Sequence, residues 1–170
     1  MTFVIRPAVA ADLPGIGAVD LAAARSSSAD APRFAESVRV AIADPARLVL
    51  VAETPGDNGM DGGSAVVGWA KTHYWDYGDG QAPAGHYLGG VTVLPDFRRR
   101  GLATELTAGR LDWIWARAES AWYVVNARNE ASLALHRAWG FREVARGPAF
   151  HTVTFDGGEG VLLTAARPRA

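Results

Sequence analysis

The chain has 170 residues, 49% hydrophobic and 21% charged, a balance that suits one domain with a sizeable core. Its formal net charge is −1, so no overall field draws it to nucleic acid or an acidic membrane. The absence of cysteine excludes disulfides, cysteine nucleophiles and cysteine-ligated zinc, and fits a reducing compartment.

Thr2–Arg6 alternates and is β-rich, and Pro7 ends it, so a first strand is expected there. Pro7, Asp12, Pro14 and Asp20 interrupt the apolar N-terminal run and no basic segment precedes it, which argues against a secretory signal. No stretch is long and apolar enough to span a bilayer, so a soluble, cytoplasmic protein is expected. Asp12 is placed to cap a helix that has Pro14 in its first turn and Leu13, Ile16, Val19 and Ala23 at helical spacing. Ser26–Ser28 is a loop; Phe34, Val38 and Ile42 mark a second helix, closed by Asp44-Pro45. Leu48–Ala52 is an apolar strand, and the glycine-rich Thr54–Ser64 is a mobile hairpin connection to a long strand over Ala65–Trp75. Asp76–Gly85 is a polar loop, and His86–Val93 is the next strand.

Gly101–Arg117 is expected to be a helix, with Leu102, Leu106, Gly109 and Trp113 on one continuous face and Gly109 allowing close approach to a sheet. With Trp122–Val125 as a strand, residues 86–126 form a strand–helix–strand crossover whose strands should be parallel. Asn129–Trp139 is a short helix stopped by Gly140. Phe141–Phe155 holds one or two strands, Asp156–Gly160 is a tight hairpin turn, and Val161–Ala165 is the last strand.

Two segments carry chemistry. In Val91-Thr92-Val93-Leu94-Pro95-Asp96-Phe97-Arg98-Arg99-Arg100-Gly101-Leu102-Ala103-Thr104, a β-branched strand stops at proline and a basic turn opens a helix. Free backbone N–H groups and guanidinium groups then meet at a helix N-terminus, where a phosphate is stabilised. The segment has neither the Gly-Lys-Ser/Thr ending of a P-loop nor a Gly-x-Gly-x-x-Gly. Gly101 and Ala103 keep the backbone bare where a phosphate would approach, and Arg98, Arg99 and Arg100 surround it with positive charge. The segment resembles the pyrophosphate-binding turn of the GNAT superfamily, the acetyl-coenzyme A-dependent N-acetyltransferases. Asn129-Glu130-Ala131-Ser132-Leu133-Ala134-Leu135-His136-Arg137-Ala138-Trp139-Gly140-Phe141 is similar to that family's asparagine, small-residue, Leu-Tyr, Gly-Phe helix. Asn129 suits a helix cap; Asn129, Ser132 and His136 share one stripe, with Leu135 and Trp139 on an apolar stripe beside it.

The resemblance covers roughly the C-terminal half of the chain. It implies an α/β architecture with mixed α+β topology: a twisted sheet of six or seven strands with helices on both faces, in one N-acetyltransferase domain over residues 1–170. It implies that Val91, Thr92 and Val93 pair through their backbone with the pantetheine arm, which enters between splayed parallel strands. It also implies that the Val93 backbone can offer an N–H to the oxyanion, and that Arg98–Thr104 together with Asn129, Ser132 and His136 bind the coenzyme. Family members are often dimers, which makes a homodimer the assembly to look for.

The chain departs from the family where a tyrosine usually protonates the leaving thiolate; it has His136. Histidine can serve as that acid, with a reference pKa of about 6.5 against roughly 10 for tyrosine. Phosphinothricin-type and other small-molecule acetyltransferases often carry histidine there. For the general base, His86 and Glu53 are the candidates at the strand ends. Trp69, His73, Tyr74, Trp75, Tyr77, His86 and Tyr87, with Asp76 and Asp79, form an aromatic and acidic set suited to an amine. The expected acceptor is a small amine bound between that set and the first two helices, acetylated directly in a ternary complex because no cysteine exists to hold the acetyl group. No metal-ligand spacing or Gly-x-Ser-x-Gly elbow appears, so no metal is expected. Two other readings compete: a non-catalytic acyl-coenzyme A sensor, and a protein or peptide N-acetyltransferase. An unrelated phosphate-binding α/β protein is a third, against which the Asn129–Phe141 helix argues.

Overall fold

The computed structural model describes residues 2–55 and 63–170. Most of the expected glycine-rich connection, including Asp57-Asn58-Gly59, therefore lies outside the described residues. The strands are β1 (Val4–Pro7), β2 (Val49–Glu53), β3 (Val66–Trp75), β4 (Gly85–Val93), β5 (Ser120–Asn126), β6 (Arg142–Gly147), β7 (Ala149–Phe150), β8 (Val153–Thr154) and β9 (Gly160–Ala166). The helices are α1 (Leu13–Ala22), α2 (Ala31–Ala43), α3 (Leu102–Trp115) and α4 (Glu130–Arg137). Seven strands form one mixed sheet in the order β1-β2-β3-β4-β5-β9-β6, and β7 and β8 form a separate pair. The crossover over α3 is parallel as expected, with Tyr87 opposite Trp122 and Leu88 opposite Tyr123.

The backbone divides into two compact units. The first holds the residues up to Thr72 together with Gly90–Arg110. Its strands alternate in the way that sandwiches a sheet between helices. Val49, Val51 and Trp69 face Ile16, Val19, Val38 and Ala41 of α1 and α2. The intervening Leu50, Ala52, Val67 and Ala70 face Leu102 and Leu106 of α3. Each valine, leucine or isoleucine among them contributes about 1.5–3 kcal/mol by leaving water. Gly109 lets α3 approach closely, since a Cβ there would sit 3.0 Å from Leu50 Cδ1. Arg110 is fully buried on α3 and donates to the carbonyls of Leu106 and Lys71 and to Thr107 Oγ1.

The second unit holds His73–Gly89 and Leu111–Ala170. Val161, Leu163 and Ala165 of β9 face Leu111, Ile114, Leu133 and Phe141, while Leu162 turns to Tyr87 and Phe150. Three expectations need correction. Asp12 precedes α1 but makes no side-chain cap bond; its carboxylate accepts from the Val9 N–H at 2.7 Å and from Arg6, which wins as the charged donor. The 141–155 stretch forms three strands, because β7 and β8 pair with each other. The Asp156–Gly160 turn, with Gly157 and Gly158 at positive φ, leads into β9, whose partners are β5 and β6, so it does not close a hairpin with β8.

Candidate functional site

The first unit holds the basic turn. A short 3-10 turn over Pro95–Phe97 ends β4, and the backbone then passes through left-handed conformations at Arg99 (φ +60°) and Gly101 (φ +83°). A left-handed non-glycine residue costs about 1–2 kcal/mol, so the shape at Arg99 is held by its surroundings. Arg98 supplies part of that hold, since its Nε donates to the Val93 carbonyl at 3.2 Å and ties the turn to β4. Arg100 lies over the Phe97 ring at 5.2 Å. The first bond of α3 runs from Glu105 N–H to the Gly101 carbonyl at 3.0 Å. The amides of Leu102, Ala103 and Thr104 thus precede the helical ladder, at the positive end of the helix dipole. Beside them is a cavity of about 220 Å³ lined by Val93, Phe97, Arg98, Arg99, Gly101, Leu102, Ala103 and Thr104. Apart from its chain neighbours, nothing among the described residues lies within 4 Å of where a Gly101 Cβ would stand, so the glycine serves the backbone conformation and leaves that space open. Bare amides, exposed guanidinium groups and an open cavity are the donor set a diphosphate requires.

On the sheet side of this turn, Val91, Thr92 and Val93 divide by face. Val93 packs with Leu102 and Leu106, whereas Thr92 points the other way and donates to Asp20 Oδ1 at 3.1 Å. Trp69 Nε1–H donates to the same oxygen at 3.1 Å. Asp20 is 5% exposed and was not a sequence candidate. Its signal was its position: it follows Val19 and lies four residues after Ile16, on the stripe that α1 buries. Glu53, a base candidate, is held on both oxygens by Arg6, which also grips both oxygens of Asp12. The Arg6 guanidinium holds the Asp12 carboxyl below the usual carboxylate range.

The second unit holds the histidine helix. Asn129 caps α4, its side chain accepting from the Ser132 N–H at 3.1 Å. The buried residues of α4 are Leu133 and His136, while Leu135 and Trp139 are half-buried, so the apolar stripe sits two residues off the expected one. His136 is 1% exposed and stacks on Tyr123 at 3.9 Å with a 14° interplanar angle. Its Nδ1 lies 2.7 Å from the Ser132 carbonyl. A carbonyl only accepts, so this bond places a proton on Nδ1. Tyr123 reaches Ser132 Oγ at 2.5 Å through its hydroxyl, another contact that sequence reading missed.

The aromatic set separates into distinct packings. Trp69 meets the edge of Phe34 at 5.6 Å in the first unit. In the second, Trp75 stacks on His151 at 4.4 Å, and Tyr77 and Tyr87 meet His151 edge-on. Burial pushes the Tyr87 hydroxyl well above its ordinary range. His86, the other base candidate, packs against Tyr74 at 4.8 Å and Trp113 at 5.4 Å. Burial, then the charge of Arg117, lowers its pKa and favours neutral imidazole.

The profile of the Acetyltransferase (GNAT) family matches residues 19–141. No curated protein sequence matches the chain significantly. Among solved structures, the ribosomal-protein-S18-alanine N-acetyltransferase from Escherichia coli is similar with a TM-score of 0.70 and 20% identity, covering 99% of this chain and 96% of that one. The ribosomal-protein-alanine N-acetyltransferase from Brucella melitensis has a TM-score of 0.70 and 22% identity over 96% and 99% of the two chains. A phosphinothricin acetyltransferase from Sinorhizobium meliloti, in complex with AcCoA, has a TM-score of 0.69 and 20% identity over 98% and 89%. At these identities the likeness speaks for the fold.

Proposed function

The chain belongs to the GNAT acetyltransferase family, and on that premise we propose that it transfers the acetyl group of acetyl-coenzyme A directly to the primary amine of a small molecule. The observation that carries this reading is the turn at 98–104, where helix amides, guanidinium groups and an open cavity fit a diphosphate. The family uses acetyl-coenzyme A, which when bound supplies an acetyl thioester. In this reading the amides of Gly101, Leu102, Ala103 and Thr104, with Arg98, Arg99 and Arg100, hold the diphosphate. Val91, Thr92 and Val93 present strand backbone to the pantetheine arm, and the Val93 N–H faces the developing oxyanion. Asn129 keeps α4 in register, and Ser132 fixes the His136 imidazole.

His136 gives the departing sulfur its proton. With Nδ1–H committed to the Ser132 carbonyl, only the imidazolium also carries a proton on Nε2, so the charged form is the donor. Neither Glu53, held on both oxygens by Arg6, nor His86, packed against Trp113, is given the base role. Residues 1–170 act in this reading as one N-acetyltransferase domain, cytoplasmic and open to homodimer formation. No helix among the described residues is long and apolar enough to cross a membrane.

The similar structures include both ribosomal-protein-alanine and phosphinothricin enzymes, with TM-scores of 0.70 and 0.69, so fold similarity favours neither acceptor class. A thiol-release screen against small amines and N-terminal peptides decides. Release with small amines supports the proposal, release with peptides alone makes the chain a protein acetyltransferase, and coenzyme binding with no transfer makes it a sensor.

A further inference from the structure

α1 is an apolar helix with one carboxylate on its buried face. Ile16 and Val19 are 0% and 1% exposed, and Asp20 is 5% exposed beside them. A carboxylate taken from water costs several kcal/mol unless other donors replace the lost solvent. Here the replacement is one-sided: Trp69 Nε1–H and Thr92 Oγ1–H both donate to Oδ1. Among the described residues Oδ2 accepts no hydrogen bond and Asp20 forms no salt bridge. One cation that feels its charge is Lys71, whose Nζ lies 5.9 Å from the Trp69 ring centroid. Burial, then the neighbouring Arg47, favours the neutral form of that amine against the pull of Asp20. The anchoring hydroxyl, Thr92, lies on β4 between Val91 and Val93, the strand given to the pantetheine arm. One hydrogen bond therefore joins this carboxylate to the strand where acyl transfer is placed.

We propose that Asp20 receives the acceptor: Oδ2 binds the ammonium of a compact primary amine and removes one of its protons. The inference rests on the acetyl-coenzyme A reading above. Asp20 takes one proton from R–NH3+, and the freed nitrogen lone pair forms the C–N bond to the acetyl carbon. The C–S bond breaks with its electron pair on sulfur. The second nitrogen proton lost on forming the amide balances the one the thiolate takes up, and the proton on Asp20 passes to water. Trp69 and Thr92 are positioning residues, holding Oδ1 so that Oδ2 faces the amine. The acceptor class this selects is a cation; an alcohol of the same shape lacks the charge that Oδ2 complements.

The test is a titration of the full chain, 15N-labelled, followed at the Trp69 indole N–H resonance, with the peak identified by Trp69→Phe. The probes are n-propylammonium chloride, 1-propanol and sodium chloride. The expected result is a saturable shift with propylammonium alone, weakened at least tenfold by Asp20→Asn, whose side-chain oxygen still accepts from Trp69 and Thr92. No saturable shift in the unsubstituted protein, or an equal shift in Asp20→Asn, overturns the inference, and the unsubstituted titration stands without any variant. Thiol release with a reactive amine should fall about 100-fold in Asp20→Asn, and an unchanged rate removes the base role. Calorimetry of coenzyme A on both proteins separates the two levels: coenzyme binding without amine binding defeats this inference alone, and absent coenzyme binding defeats the function it rests on.

Discussion

Gly101 and Gly140 form a matched pair that isolates the ligand's demand on the turn. Their φ angles are +83° and +81°, and among the described residues a Cβ added at either meets no heavy atom within 4 Å beyond its chain neighbours. Alanine at each position therefore carries only the backbone cost of a left-handed residue, about 1–2 kcal/mol. For a chain of this size that lowers Tm by about 2–8 °C, and by a similar amount in both variants. The difference appears with coenzyme A. Gly101 lines the cavity at the start of α3, where an added methyl stands in the space given to the diphosphate, whereas Gly140 ends α4. Calorimetry should show Gly101→Ala weakening coenzyme A binding tenfold or more, and Gly140→Ala changing it less than twofold. Equal weakening by both, or no weakening by Gly101→Ala at the expected Tm, refutes the assignment of this turn to the diphosphate.

His136→Phe should lower kcat by about 10²–10⁴ at saturating acetyl-coenzyme A with little change in its KM, and an unchanged kcat across pH removes His136 from the chemistry. Arg6 holds the Asp12 carboxyl below its ordinary value, so this pair stabilises the fold above the unfolded carboxylate pKa of about 3.9 and ceases to as pH falls through the lower folded value. Arg6→Met should therefore cost about 1–2 kcal/mol near neutral pH and less by pH 2 in denaturant melts; a loss that does not shrink with acid contradicts the pairing. Gly109→Val should destabilise by about 1–3 kcal/mol, since its Cβ already meets Leu50 Cδ1 at 3.0 Å and the branch adds bulk. An unchanged Tm would mean that α3 lies further from the sheet.

The strand–helix–strand crossover was legible because its signals agree: a β-branched run, a proline stop, a glycine turn, then helical spacing. The strand-to-helix turn at Arg98–Gly101 was legible for the same reason, and so was the Asn129 cap, which is a purely local bond. Asp20 was not, because its meaning depends on Trp69 and Thr92, distant in the sequence and brought to one oxygen by β3 and β4. Tyr123 likewise gains its contact with His136 from β5 lying beside α4. The bond from Arg6 to Glu53 was not legible either, because the pairing of β1 with β2 brings the two together from distant parts of the sequence. The capping of α1 misled because the Asp12 carboxylate is taken up behind the helix, by the Val9 N–H and by the charged Arg6 guanidinium, and not by the amides of α1. Local chemistry was readable in the sequence, and long-range pairing of polar groups was not.

In the proposed function the amides and arginines between Arg98 and Thr104 grip the coenzyme diphosphate. A crystal structure of the protein soaked with coenzyme A tests it directly. Diphosphate oxygens are expected within hydrogen-bonding distance of backbone amides in Gly101–Thr104 and of at least one of Arg98, Arg99 and Arg100. Coenzyme density with its diphosphate anywhere else contradicts it.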